Sequence, residues 1–79
     1  MTQEPTFDER VERLVPLTAY GPTYNRLVRE SLLDAKREQD RDNEQYAERW
    51  LLKAEMHAKV ITFEEYQVLI AQRVEGKLL

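Results

Sequence analysis

Seventy-nine residues suffice for one domain, and a chain of this size buries only about two-thirds of the surface its unfolded form exposes, so its core is thin. No cysteine occurs, which excludes disulfides, thiolate-held zinc and thiol catalysis and suits a reducing, cytoplasmic setting. Charged residues make up 34% of the chain with a net charge of -3, no third of it carries a basic excess of the kind that neutralises phosphates, and no apolar run approaches the roughly 18 residues of a membrane span.

Thr6-Phe7-Asp8-Glu9 has the form of a capping box, in which the Thr6 hydroxyl accepts from the Glu9 amide and the Glu9 carboxylate reaches back to the Thr6 amide. Phe7, Val11, Leu14 and Val15 recur at helical spacing, and Pro16 cannot donate a backbone hydrogen bond, so a short helix is expected over 7–15. A helix of that length must dock to persist. Thr18 to Pro22 is a turn, with Pro22 or Thr23 suited to open the next helix.

From there no breaker appears until Lys59. Tyr24, Leu27, Val28, Leu32 and Ala35 form one apolar stripe, and Tyr46, Ala47, Trp50, Leu51, Ala54 and Ala58 form a second. Between them Lys36 to Gln45 holds no apolar residue. Ala35 and Tyr46 lie about three helical turns apart, so both stripes fit one helix whose contact face drifts by roughly 90°. The pairs Glu38/Arg41 and Arg41/Glu44 support continuity, while the like charges Arg37/Arg41 and Asp40/Glu44 oppose it. The balance favours a single helix over 23–58, with 40–43 as the place where it would break. Unbroken, it would be about 50 Å long and would overhang the rest of the chain.

The strongest local signal lies at Val60 to Tyr66. Thr62 and Glu65 make a second capping box, Ile61 can pack on Tyr66 as a hydrophobic staple, and a last helix is expected over 63–74. Gly76 suits its C-terminal stop, with Leu78 placed to fold back on the last turn.

Few residues are equipped for chemistry. Ser31, between Val28 and Leu32 on the apolar side of its helix, is expected to be a packing residue. His57 is the only histidine, and the positions one turn before it are Lys53 and Ala54, so neither a metal site nor an acid/base pair is built around it. It is expected at a helix end, where the C-terminal dipole favours it. The acidic pairs Asp8/Glu9 and Glu64/Glu65 fall in first helical turns, where negative charge has a structural cause. Asp40 to Glu44 is similar to the start of a calcium loop, but the glycine at the sixth position is missing and Leu51 stands at the twelfth. No phosphate-cradling glycine loop occurs. After the last helix only Glu75 to Leu79 remain, too little for the recognition helix of a helix-turn-helix.

Residues 50–79 resemble the SHOCT (short C-terminal) domain, a helical hairpin in which a leucine-rich helix turns at a glycine and continues as hydrophobic-Thr/Ser-x-Glu-Glu-Phe/Tyr into a second helix. The matching residues are Leu51, Leu52, Val60, Ile61, Thr62, Glu64, Glu65, Tyr66 and Leu78-Leu79. Lys59 stands where the family's glycine falls, and Val68 to Arg73 replace its Lys-rich second helix. The resemblance implies an oligomerising or partner-binding module without catalytic residues.

The expectation is therefore an all-α, small helical bundle: a short N-terminal helix, a long central helix that breaks, if anywhere, at 40–43, and a C-terminal helical hairpin. It is expected to bind another protein or a second copy of itself as a homodimer, without catalysis, metal or cofactor, and away from membranes. Nucleic-acid association and membership of a larger assembly are the alternatives. Tyr20, Tyr24, Tyr46 and Trp50 offer rigid aromatic area of the kind interface centres favour, and Leu33 and Leu52 point away from their stripes. These six residues are the candidate partner interface.

Overall fold

Both capping boxes form. In a computed structural model, which describes the backbone of residues 5–18 and 23–75 and the side chains of 5–18 and 26–75, the Thr6 hydroxyl accepts from the Glu9 amide at 3.2 Å. The Glu9 carboxylate accepts in return from the Thr6 amide at 3.1 Å. These bonds hold the Glu9 carboxyl below its usual pKa, the backbone bond being the larger cause. Helix α1 spans Phe7–Leu14 and tightens into a 3-10 turn over Val15–Thr18 as it meets Pro16. Of the expected turn at Thr18 to Pro22, Thr18 closes the 3-10 turn and residues 19–22 lie outside the described residues.

The central segment is two helices. α2 runs Thr23–Asp40 and α3 runs Glu44–His57, so the uninterrupted helix favoured by the ion-pair balance gives way to a break at 41–43. Asp42 takes a left-handed φ of 61°. Its amide donates to the Gln39 carbonyl at 3.0 Å and the Asn43 amide to the Glu38 carbonyl at 2.9 Å, the paired bonds of a Schellman stop. Aspartate is one of the few residues that enters this region at modest cost. Asn43 does not cap α3 with its side chain but donates to the Glu38 carboxylate at 2.8 Å, tying the turn back to α2.

Magnitudes explain why the break wins. Each (i, i+3) ion pair is worth about 0.2–0.5 kcal/mol, and Glu38/Arg41 survives in the last turn of α2 anyway. Folding back buries Val28, Leu32 and Ala35 of α2 with Leu51 and Ala54 of α3, and each large side chain so covered contributes about 1.5–3 kcal/mol. The result measures 38 × 27 × 27 Å rather than the length of a rod. α1 lays Val11 and Leu14 into the same cluster, with Phe7, Trp50 and Ala58 packed at its edge.

α3 ends in a second Schellman stop. Lys59 has φ 60°, its amide donates to the Met56 carbonyl at 3.0 Å, and the Val60 amide donates to the Glu55 carbonyl at 2.9 Å. Thr62 and Glu65 then open α4, Phe63–Leu69, with reciprocal bonds of 3.1 and 3.0 Å. The last helix, expected over 63–74, changes register at its middle: Ile70–Glu75 is a π-helical turn, which sets Val74 into the core and Arg73 toward α3. Such turns are rare and need tertiary contacts to hold them. Gly76 and Leu78, the expected stop, lie outside the described residues. Among the described residues there is no strand, and no helix is long and apolar enough to cross a membrane. The architecture is a small all-α bundle.

Candidate protein interface

α3 has two working faces. The inner one carries Glu48 and Glu55, seven residues apart and so stacked on one side of the helix. Arg10 of α1 reaches both. Its Nη1 donates to the two Glu48 oxygens at 2.8 and 2.5 Å, its Nη2 to Glu55 Oε1 at 2.6 Å and its Nε to Glu55 Oε2 at 3.3 Å. Arg73 of the π turn adds a bond to Glu48 at 3.2 Å. Arg10 is only 8% exposed. Burial works against its charge, but the bonds and charges of Glu55 and Glu48 outweigh it and raise the guanidinium pKa.

This network staples the N-terminal helix and the C-terminal turn to α3. The carboxylates are fully engaged by guanidinium groups, so their role is positional, and every buried side-chain polar atom among the described residues has a hydrogen-bond partner. A cleft of about 540 Å³ runs beside the network, lined by Arg13, Leu52, Ile61 and Leu69. None of these ionic residues was among the sequence candidates. The signal was present: Arg10 lies with Phe7, Val11 and Leu14 on the apolar stripe of α1, where a charge must find partners or cost several kcal/mol, of order 3–5.

The outer face of α3 is different. Tyr46, Arg49, Trp50 and Lys53 recur at helical spacing and, with Tyr66 of α4, line a groove of about 330 Å³. The Lys53 Nζ sits 5.0 Å from the Trp50 ring, a cation–π distance. Phe63 extends the aromatic surface, its ring 6.3 Å from that of Tyr66. Phe63 is 60% and Val68 53% exposed, and no residue of α4 is fully buried.

Two of the six candidate residues, Tyr46 and Trp50, thus meet in the groove. Tyr46 is 50% exposed, and Trp50 is half-buried, with one edge against the core cluster. Leu33 is 55% exposed on α2 but does not line the groove. Leu52 must be withdrawn as an interface residue, because it is 1% exposed. It points off the main stripe, as the helical wheel requires, and that is the side where α4 and the π turn pack on α3. Tyr20 and the Tyr24 side chain lie outside the described residues. The contributors that sequence reasoning missed are Tyr66, Phe63, Arg49 and Lys53; they become a site only once α4 is laid beside α3.

Ser31 is buried between its apolar neighbours, as a packing residue should be. His57 ends α3, as expected, where burial and then the Lys53 charge push its pKa below the usual imidazole value. Among the described residues no cluster of histidine and carboxylate ligands is placed to hold a metal ion. Comparison with family models, with curated proteins and with solved structures found no match.

Proposed function

We propose that this chain is a non-catalytic protein–protein interaction module, an adaptor, regulator or inhibitor that works by surface binding, as a homodimer, in the cytoplasm. The observation that carries this proposal is the outer surface of α3 and α4, where Tyr46 lines an aromatic groove and Phe63 stands beside it against Tyr66, both at least half exposed. A helix facing only water in a chain that is 34% charged would place polar residues there. Aromatic side chains bring large contact area at low entropic cost, which is why interface centres favour them. A core this small gains from association, since alone it supplies about 3–5 kcal/mol. The SHOCT-like pattern of residues 50–79 points in the same direction.

Sedimentation equilibrium on the purified chain, paired with recovery of partners from native lysate, tests the proposal. The chain should sediment as a dimer or retain a defined partner. Phe63→Glu or Leu33→Glu should abolish that association while leaving far-UV helicity intact. A solitary monomer that retains no partner would contradict it.

A further inference from the structure

The groove is a basic spot on an acidic protein. Arg49 and Lys53 stand one turn apart on its rim, and among the described residues neither has a carboxylate within ion-pair distance. Arg10, Arg26, Arg37, Arg41 and Arg73 are paired, and Arg13, Arg29 and Lys36 share the open state of the rim cations but do not line this groove. Two cations without a carboxylate partner among the described residues therefore frame three aromatic rings, in a chain of net charge -3.

We propose that the groove binds an acidic helical segment of another protein. One large apolar side chain of that segment seats among Tyr46, Trp50 and Tyr66, and two carboxylates a turn apart pair with Arg49 and Lys53. This rests on the interaction-module proposal and specifies the partner's chemistry.

Three considerations select that occupant. The volume of about 330 Å³ is at the lower end of small-molecule sites, roughly 300–1,000 Å³, and suits a single anchoring side chain better than a cofactor. The face of Trp50 already holds the Lys53 ammonium, so a cationic ligand would meet like charge from Lys53 and Arg49, whereas an anionic one is steered in. Residues four apart on a helix have Cβ atoms about 5–6 Å apart, so the rim cations match carboxylates at the same spacing on a second helix, the helix-in-groove mode. Single-stranded nucleic acid also stacks on aromatic rings beside basic residues. It is disfavoured here because two cations neutralise few phosphates and the remaining charge of the chain repels the strand.

Trp50 is the only tryptophan and lines the groove, so its fluorescence reports occupancy directly. The full chain is titrated with an alanine-based helical peptide of about 15 residues that carries one phenylalanine flanked by two glutamates a turn apart. Parallel titrations use the same peptide with lysines for the glutamates, with alanine for the phenylalanine, and an oligothymidylate. The acidic phenylalanine peptide should give a saturable emission change that weakens about tenfold or more when Lys53→Glu or Arg49→Glu removes one strong pair, as 1.4 kcal/mol implies, and weakens with added salt. The lysine peptide should bind only the Arg49→Glu/Lys53→Glu double variant.

No saturable change with the acidic peptide up to about 1 mM, equal binding of the lysine peptide, or tighter binding of oligothymidylate would each overturn the proposal. Should the charge-reversed variants fail to fold, the four titrations of the wild-type chain still decide it. A dimer that ignores the acidic peptide would sink only this proposal, while a monomer that binds it would sink only the homodimer.

Discussion

The two faces of α3 use the same side-chain chemistry to opposite ends. On the inner face, Arg10 and Arg73 meet Glu48 and Glu55 at 2.5 to 3.3 Å, and the charges are mutually satisfied, those of Arg10 and Glu55 buried and those of Glu48 and Arg73 partly so. On the outer face, Arg49 and Lys53 flank Tyr46, Trp50 and Tyr66 with no carboxylate in reach among the described residues. A residue's type does not reveal whether it builds the molecule or waits for another one. Whether its hydrogen-bonding and packing capacity is already taken up does.

The comparison breaks most sharply at Arg10. Arg10→Ala would leave Glu48 and Glu55 without their principal counter-charge and cost about 3–5 kcal/mol, comparable with what so small a core supplies. Urea titration should find the variant largely unfolded; a midpoint close to wild type would show that water replaces the guanidinium freely and that the network is not a staple. Leu52→Ala should cost about 2–5 kcal/mol through a cavity under α4. If it instead left stability untouched and impaired association, Leu52 would return to the interface.

Lys59→Gly removes a left-handed backbone penalty of about 1–2 kcal/mol, offset in part by the entropy of glycine in the unfolded chain. A net gain of about 0.5–1 kcal/mol is expected in thermal unfolding, and a loss would mean that the Lys59 side chain contributes more than its backbone strain. Smallest in stability is Phe63→Ser, which should stay within about 0.5 kcal/mol of wild type while losing association. A large drop in melting temperature would make Phe63 a structural residue and erase the contrast between the faces.

Local chemistry was legible in the sequence and nonlocal chemistry was not. Thr6/Glu9 and Thr62/Glu65 could be read because a capping box is complete within four residues. The break, at 41–43, falls within the 40–43 stretch where the sequence placed it. That it would occur was not legible, because the decision lies in burying Leu32 and Ala35 against Leu51, a gain no local pair reveals. Leu52 was correctly seen to leave the main stripe, yet its cover comes from α4 and the π turn. Register changes such as Ile70–Glu75 have no composition signature and follow from how Val74 and Arg73 are held. Two of the groove's three aromatic rings, Tyr46 and Trp50, could be named in advance. The third, Tyr66, depended on where α4 returned.

Hydrogen exchange, followed by mass spectrometry on dilute and concentrated chain and again with a bound partner, tests the division of α3 most directly. Association should slow exchange of the α4 amides and of the side-chain-bearing outer edge of α3 around Tyr46 to Lys53, while α1, already held by Arg10, exchanges at one rate throughout. Protection gained at α1 with none at α4 would contradict the account.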